Sequence, residues 1–291
     1  MPPMASEPDL PPPADLTDAA VYAYAVLLRN EAAERAAREL RGVDGLPVRI
    51  LRGTDTAAVV SDVPADAFTE EAIAQRLDDI TDLERLARDH HQVIAALAFH
   101  TAVLPLRLAT VYLDDDNLMR RLHTDDGLFR TTLNRLEGHD EWGVKIYALP
   151  PAITPPPEDR SRSGRDYLRA RRTSRDGHEL AHQAAADLGA RVDRTLAEAL
   201  LVTYVRHHRP QPAALSANPG ENVVNAAYLV PRQHTRSFQD RVEVLAAGTV
   251  GVRLEITGPW APYSFASPSL PPSPSPEQAG TAAPAIRGAT L

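Results

Sequence analysis

Residues 178–182 read His-Glu-Leu-Ala-His, and no other stretch of the chain comes as near to catalytic chemistry by residue type and spacing. In the pattern H-E-x-x-H on a helix, two histidines one turn apart bind zinc and the glutamate activates a water molecule. The longer zinc-protease pattern fails here, because Ala185 and Leu188 stand where glycine and histidine are needed. Val202 falls where a downstream glutamate ligand is expected, and Glu198 is close but out of register.

The helix that must carry this motif is predicted from its content of alanine, leucine, arginine and glutamate. At about 100° per residue, its apolar stripe of Leu180, Ala184 and Leu188 leaves His178 and His182 on the flank or the outer face. We therefore predict a solvated helix face, with no bound metal and no cofactor. A zinc-dependent hydrolase that uses this motif is the alternative hypothesis.

Other residue types exclude further kinds of chemistry. The chain has no cysteine, so disulfides, thiolate metal sites and thiol nucleophiles are excluded together. Neither a glycine-rich phosphate-binding pattern nor the G-x-S-x-G pattern of a nucleophilic serine occurs in the sequence. His90 falls on the apolar stripe of a predicted helix with Leu86 and Ile94, so we predict a hydrogen-bonded core histidine there. No catalytic residue is therefore assigned.

Charge and hydropathy narrow the classes of partner. The net charge is -8, which argues against a nucleic-acid binder because the phosphates would be repelled. No apolar run approaches the roughly 18 residues that a membrane span requires. Residues 1–18 also lack the basic and apolar segments of a secretory signal. We therefore expect a cytoplasmic protein with neither nucleic acid nor a membrane among its partners.

Three proline-rich segments divide the chain, because proline fixes φ and lacks an N–H donor. We predict disordered tails at residues 1–18 and 267–291 and a proline-rich loop at residues 150–157. The folded parts are an N-terminal α+β domain, residues 19–137, and a C-terminal domain, residues 138–266, which contains that loop. The length of 291 residues agrees with two domains of roughly 150 residues each.

The pattern of apolar, β-branched and aromatic residues predicts both strands and helices. The N-terminal domain is predicted to contain strands at 21–28 and on both sides of a turn at 53–55, a helix at 82–101 capped by Thr81 or Asp82, and a helix at 118–136 interrupted near Gly127. The C-terminal domain is predicted to contain strands at 141–149, 222–230 and 250–257, a helix at 237–248, and one helix or two over 166–208, with Gly177 or Gly189 at the break and the end at Arg-His-His-Arg-Pro. The fold class is therefore α+β, with a modified ferredoxin-like α/β sandwich that has a long helix and one strand fewer than the full pattern.

An unusual segment follows the last predicted strand, where Gly258 and Pro259 lead into Trp260, Tyr263 and Phe265. Because proline lacks the N–H that a strand ladder needs, we predict that the strand stops pairing here and continues as extended backbone. Aromatic side chains on such a backbone lose little entropy when they dock. These three aromatic residues are the candidates for contact with a partner or, alternatively, for closing a sheet edge or bracing the two domains.

Seven stretches of the chain, in this order, resemble the gas vesicle protein family GvpF/GvpL. They are VYAYAVL at Val21, AAVVSDV at Ala57, HHQVIAAL at His90, VLPLRLATVY at Val103, LEGHDEWGVKIY at Leu136, NAAYLVPR at Asn225 and the closing TGPWAPYSF at Thr257. Each stretch alone is a weak signal, but their common order is specific and spans nearly all of the chain between the proline-rich tails. One departure is Ala109, which stands where the family favours a glycine and argues against a close backbone approach there.

The resemblance implies an accessory or minor structural protein that is required to form gas vesicles, the hollow protein-walled organelles that give microbial cells buoyancy. It implies the small hydrophobic shell subunit and other accessory gas vesicle proteins as partners, a location at the gas vesicle, and a two-domain α+β build with a ferredoxin-like C-terminal part. It implies no reaction, so we predict that the protein is not an enzyme. A small-ligand sensor is a third hypothesis, which rests on fold analogy alone.

Overall fold

The computed structural model describes residues 19–149, 164–212 and 220–266. In chain order its strands and helices are β1 Ala19–Leu28, α1 Glu31–Glu39, β2 Arg49–Arg52, β3 Thr56–Pro64, α2 Glu70–Asp78, α3 Ile80–Ala98, β4 Val103–Pro105, β5 Val111–Tyr112, α4 Asp115–Leu136, β6 His139–Ala148, α5 Gly164–Glu198, β7 Tyr204–His207, β8 Glu221–Pro231, α6 Thr235–Ala247 and β9 Val252–Trp260. The two predicted tails and the predicted proline-rich loop lie outside the described residues.

The described residues fall into two compact units. The first contains residues 19–101 and 106–126, and the second contains residues 102–105 and the described part of 127–266. Both units mix helix and sheet, so the α+β class predicted from the sequence is confirmed. The predicted domain limits of 19–137 and 138–266 stay a prediction.

The sheet of the first unit is built around a buried strand. β3 pairs antiparallel with β1 on one side and with β2 on the other, while β5 pairs with Val21 and Tyr22 of β1. β1 is buried along nearly its whole length, as its continuous run of apolar and aromatic residues requires. The predicted hairpin is confirmed: the Gly53 N–H donates to the Thr56 carbonyl at 2.9 Å where β2 turns into β3.

Two helices depart in detail from the sequence prediction. The cap of α3 is Asp79, whose carboxylate accepts the N–H groups of Thr81 and Asp82 at 2.9 Å each, so the two residues predicted to cap the helix are the ones that are capped. α4 continues from Asp115 to Leu136 without the predicted interruption at Gly127. One glycine costs a helix only about 1 kcal/mol, and apolar side chains buried on both of its sides outweigh that cost.

His90 is the core histidine that its position on the helix predicts. Its side chain is 2% exposed, with Nδ1 3.0 Å from the Tyr22 hydroxyl and Nε2 3.3 Å from the Leu106 carbonyl oxygen. Burial lowers the pKa of His90 to about 4, so the ring is neutral near pH 7. The Ala109 N–H donates to the same Tyr22 oxygen at 3.1 Å. Ala109 adopts the left-handed φ of 60° that glycine favours, and its N–H approaches the Tyr22 hydroxyl closely. The expectation that alanine argues against a close backbone approach was therefore wrong.

The second unit has the full ferredoxin-like order rather than one that lacks a strand. β6, α5, β7, β8, α6 and β9 follow one another as β-α-β-β-α-β, and the four strands pair antiparallel in the order β7-β8-β6-β9. The strand that was not predicted from the sequence is β7. It lies within the stretch that was predicted to end the long helix.

The long helix α5 ends ten residues before the predicted helix end at residue 208, because the chain turns at Leu200. Leu200 adopts a left-handed φ of 53°, its N–H bonds the Ala197 carbonyl, and the Leu201 N–H bonds the Leu196 carbonyl at 3.0 Å. This pair of hydrogen bonds is the Schellman helix end, in which glycine usually occupies the left-handed position. The sequence prediction was wrong because leucine occupies that position instead.

The core of the second unit lies between the sheet and the two helices. α5 buries a stripe of Ala181, Ala185, Leu188, Val192 and Leu196 against apolar side chains of the four-stranded sheet. The predicted stripe was shifted by one residue at its start, since Leu180 is 71% exposed. α5 also continues through Gly189, where a Cβ atom would lie 2.8 Å from a methyl group of Val224. The glycine therefore marks close packing of helix on sheet rather than a break.

The left-handed residue at the end of α5 predicts a stabilising substitution. We expect Leu200→Gly to raise the free energy of unfolding by about 1 kcal/mol, because glycine adopts this conformation without the clash of a Cβ atom. The side chain that is removed is 76% exposed, so little packing is lost. Urea denaturation followed by circular dichroism measures the difference. The control is Ala190→Gly at an exposed position inside α5, which should lower the same free energy by about 1 kcal/mol. Destabilisation by Leu200→Gly would contradict the left-handed conformation assigned to Leu200.

Candidate functional site

The candidate site is the C-terminal strap, which we define as residues 258–265. The prediction that the last strand stops pairing at Pro259 was wrong, because β9 continues to Trp260 and pairs it with Glu141 of β6. The register of the ladder shifts at a bulge between Glu141 and Gly143, and Pro259 lies within the shifted part of β9. The ladder therefore requires no N–H from Pro259. Gly258 has a φ of 135°, and a Cβ atom there would lie 2.9 Å from the Glu141 carbonyl oxygen. Only glycine fits this bend.

Beyond Trp260 the strap turns instead of remaining extended. Residues Tyr263–Phe265 form one turn of 3₁₀-helix, and the Phe265 N–H donates to the Pro262 carbonyl at 3.1 Å. Pro262 has a φ of -80°, which the proline ring imposes and which suits the start of a turn. The extended backbone predicted from the two prolines is therefore corrected to a short edge segment followed by a tight turn.

A buried carboxylate holds this turn. Glu141 is 9% exposed, and its Oε2 atom accepts the Ser264 N–H at 2.8 Å while Oε1 accepts the Ser264 hydroxyl at 2.7 Å. Burial raises the pKa of Glu141, and the two hydrogen bonds from Ser264 act in the opposite direction. The ionised carboxylate thus has donors for both oxygens, which is the condition for burying it.

Three basic side chains complete the attachment of the strap. Arg206 Nη1 donates to the Ser264 carbonyl at 2.6 Å, and Arg135 Nη2 donates to the Phe265 carbonyl at 3.1 Å. His208 Nε2 lies 3.1 Å from the Ser264 hydroxyl oxygen, and burial lowers the pKa of this histidine, as do the nearby charges of Arg206 and His207. The strap therefore runs from the β9 edge past Glu141 on β6 to Arg206 on β7.

The three aromatic residues predicted for the site have different surroundings. Phe265 is fully buried, whereas Trp260 is 44% exposed and Tyr263 is 38% exposed. Burial, together with the charge of Glu141, raises the pKa of Tyr263 to about 12. Phe265 is thus an anchor of the turn, and Trp260 and Tyr263 contribute apolar surface beside it. Their role as partner contacts or as a domain brace stays a prediction.

Sequence reasoning missed the polar residues that position the strap. Glu141 and Ser264 are 123 residues apart, and Arg206 is 58 residues before Ser264, so no local spacing connects them. The one available signal was Glu141 itself, which stands directly before Trp142 in a strand whose later residues are mostly apolar. A charged residue at such a position needs a partner.

The histidine motif lies on the exposed face of α5. His178 and His182 are both exposed, and His178 Nε2 lies 3.6 Å from the Glu221 carboxylate of β8. Within residues 19–149, 164–212 and 220–266, no group of three or more histidine, cysteine, aspartate or glutamate residues is placed to hold a metal ion. The solvated helix face predicted for the motif agrees with this exposure.

The chain is similar to known gas vesicle proteins over most of its length. A family model described as "Gas vesicle synthesis protein GvpL/GvpF" matches residues 20–267. Gas vesicle protein L of Streptomyces sp. (strain CB03234) is 44% identical over 258 residues, which cover 86% of this chain and 94% of that protein. Gas vesicle protein F of the same organism is 26% identical over 226 residues, covering 75% and 87%. The crystal structure of GvpF from Anabaena sp. PCC7120 has the same fold, with a TM-score of 0.57 at 18% identity over 86% of this chain and 96% of that chain.

The surroundings of Glu141 predict how stability depends on pH. A carboxyl group whose pKa is raised on folding contributes stability that is present at low pH and is lost as pH rises through its folded pKa. We therefore expect the free energy of unfolding of Glu141→Gln, relative to the unmodified protein, to increase as pH rises from acidic values to neutrality. Urea denaturation over a pH series measures this difference. Glu137→Gln, at an exposed position, is the control. A difference that is constant or falls with pH would show that burial does not dominate at Glu141.

The exposed histidine motif predicts that the chain binds no stoichiometric zinc. Elemental analysis of the purified protein after dialysis should find far less than one zinc ion per chain, because the two histidines would lack the further ligands that a structural or catalytic zinc site uses. Glu179→Ala should leave the zinc content and the melting temperature unchanged, since this glutamate is exposed. One zinc ion per chain that is lost on His182→Ala would revive the hydrolase hypothesis.

Proposed function

Because the chain belongs to the GvpL/GvpF family of gas vesicle synthesis proteins, we propose that it acts in gas vesicle formation by binding the shell subunit and other accessory gas vesicle proteins during assembly. We propose further that it contributes binding surface alone and catalyses no reaction. The protein acts at the gas vesicle in the cytoplasm, where the vesicle wall is assembled. The observation that carries the proposal is the C-terminal strap, in which two partly exposed aromatic rings lie on a firmly attached backbone.

Aromatic anchors of this kind suit recognition of an apolar partner. Tryptophan and tyrosine are enriched among the residues that dominate binding energies, because they bury a large area and have few rotatable bonds. Trp260 and Tyr263 keep 44% and 38% of their surface exposed. A small hydrophobic shell subunit needs such contact area on its partner. These two residues are therefore the proposed centre of the contact.

The attachment of the strap lowers the cost of binding. Ser264, beside Tyr263, is held through its N–H, its hydroxyl and its carbonyl by Glu141 and Arg206. Phe265, on the other side, is fully buried. Ordering a loop or a flexible side chain on association costs free energy, and a segment that is already ordered avoids most of that cost. The strap is therefore better suited to contact than an exposed apolar side chain in a loop.

Across residues 19–149, 164–212 and 220–266, no helix combines the length and the apolar content needed to cross a membrane. α5 is the longest helix, with 35 residues, and charged side chains recur along it.

The strap contact is tested by retention of the shell subunit on the immobilised protein. We expect Trp260→Ala together with Tyr263→Ala to reduce the retained shell subunit by about tenfold or more, as loss of two aromatic anchors typically does. The matched control is Val250→Ala, which alters an apolar side chain that is 93% exposed but outside the strap. Circular dichroism establishes that each variant is folded. Equal retention by the double variant and the control would contradict the assignment of the contact to the strap.

The assembly role itself is tested by deletion of the gene. In a host that makes gas vesicles and has no second family member, deletion should abolish the vesicles seen by electron microscopy, and the unmodified gene supplied in trans should restore them. The double variant should restore fewer vesicles than Val250→Ala does. Normal vesicles after deletion would overturn the proposed function.

A further inference from the structure

β9 leaves one edge of the four-stranded sheet unpaired within the described residues. The strand order is β7-β8-β6-β9, so β9 lies at an edge and pairs with β6 alone among the described strands. Its ladder with β6 is regular from Val252 to Thr257, and the bulge follows only at the strap. An edge strand with a regular, unpaired row of N–H and C=O groups is a template for strand addition.

The hydrogen-bond pattern shows which backbone groups form that row. The Leu149 N–H donates to the Gly251 carbonyl at 2.9 Å, one register step beyond β9. In an antiparallel ladder, hydrogen-bonded and non-hydrogen-bonded pairs alternate, so the backbone groups of Arg253 and Glu255 are directed at β6. Those of Val252, Leu254 and Ile256 are directed away from it. The free edge therefore offers the N–H and C=O groups of three alternate residues.

The side chains of the same five residues divide between the two faces of the sheet. Val252, Leu254 and Ile256 pack against the core beneath the helices. Arg253 and Glu255 share the opposite face, where Arg253 Nη1 donates to Glu255 Oε2 at 3.1 Å. The Arg253 guanidinium lies 3.7 Å from the ring centre of Tyr147, and its buried Nε and Nη2 atoms have no hydrogen-bond partner among the described residues. A positive and a negative residue thus stand two positions apart on one face.

We propose that β9 pairs antiparallel with β9 of a second copy of this chain, with a two-fold axis between the two Leu254 residues. The two four-stranded sheets then form one sheet of eight strands. The contact is isologous, since the same segment is used on both sides. This proposal does not rest on the proposed function, because it concerns residues 252–256 of β9, which precede the strap.

The register follows from two separate requirements. The outward-directed residues must face one another, and an axis at Leu254 pairs Val252 with Ile256 of the second copy and Leu254 with its own counterpart. Opposite charges must also face one another, and the same axis places Arg253 opposite Glu255 of the second copy, twice by symmetry. An axis at Arg253 or at Glu255 would instead oppose like charges and direct the wrong backbone groups to the interface. Both requirements therefore select one register.

The occupant is a second copy because the charge pattern of β9 is complementary to itself. An unrelated strand would have to carry the reverse order of charges at the same two-residue spacing, whereas β9 supplies that order when it is turned end to end. The apolar residues of the two copies also meet on the same side of the joined sheet. Charges placed in this way determine register and partner choice more than they raise affinity.

Charge reversal in β9 tests the proposal by sedimentation velocity from about 1 µM to about 100 µM protein. The unmodified protein should form a species of twice the 31.6 kDa chain mass. Arg253→Glu and Glu255→Arg should each weaken the dimer by about tenfold or more, because like charges then face one another. The double variant, and an equimolar mixture of the two single variants, should recover the dimer. The mixture is the more specific test. If it recovers the dimer, both single variants are folded, so each serves as the folding control for the other.

Amide hydrogen exchange locates the contact at single residues. The N–H groups of Leu254 and Ile256 should become protected as protein concentration rises, whereas those of Arg253 and Glu255 should be protected at all concentrations by the ladder to β6. Sedimentation of the protein as a monomer alone, over the whole concentration range, would overturn the proposal. This holds even if another protein occupied the edge in a cell. A dimer that both single reversals leave intact would overturn it equally.

Discussion

The attachment of the C-terminal strap depends on one buried carboxylate. Glu141 stands at the start of the central strand β6, where its ionised form needs a donor for each oxygen. Ser264 supplies both donors from a turn that begins beyond the sheet edge. That turn then fixes the buried Phe265 and the partly exposed Tyr263, while Trp260 is held by the pairing of β9 with β6. An apolar residue in place of Glu141 would leave the strap without its main attachment, although the ladder of β6 would remain.

The sequence predicted the fold well wherever a local pattern determines it. The hairpin at Gly53, the helix around His90 and the strands β6, β8 and β9 follow from alternation, helical spacing and turn residues. The prediction failed at β7, because a leucine and not a glycine adopts the left-handed conformation that ends α5. The arginines and histidines that follow read equally well as the end of a helix. Leucine disfavours the left-handed conformation, so the residue type gives no sign that the helix ends there.

The candidate site was predictable in its aromatic residues but not in its geometry. Trp260, Tyr263 and Phe265 stood out by type, because prolines and aromatics rarely alternate at the end of a strand. Which ring is buried depends on the turn, and the turn depends on side chains 56 to 130 residues away in the chain. Pairs so distant in sequence follow from topology, which a single sequence specifies only through the completed fold.

The distance along the chain between Glu141 and Ser264 has a consequence for biosynthesis. A polypeptide emerges from the ribosome at about 5 to 20 residues per second, so Glu141 is available several seconds before the serine that bonds it, 123 residues later. During that interval β6 can pair with β8, but its carboxylate remains hydrated and the strap has not docked. The last turn of the described chain therefore closes the C-terminal unit. A nascent chain released before Ser264 would retain the strands and helices while its Glu141 stayed open to water.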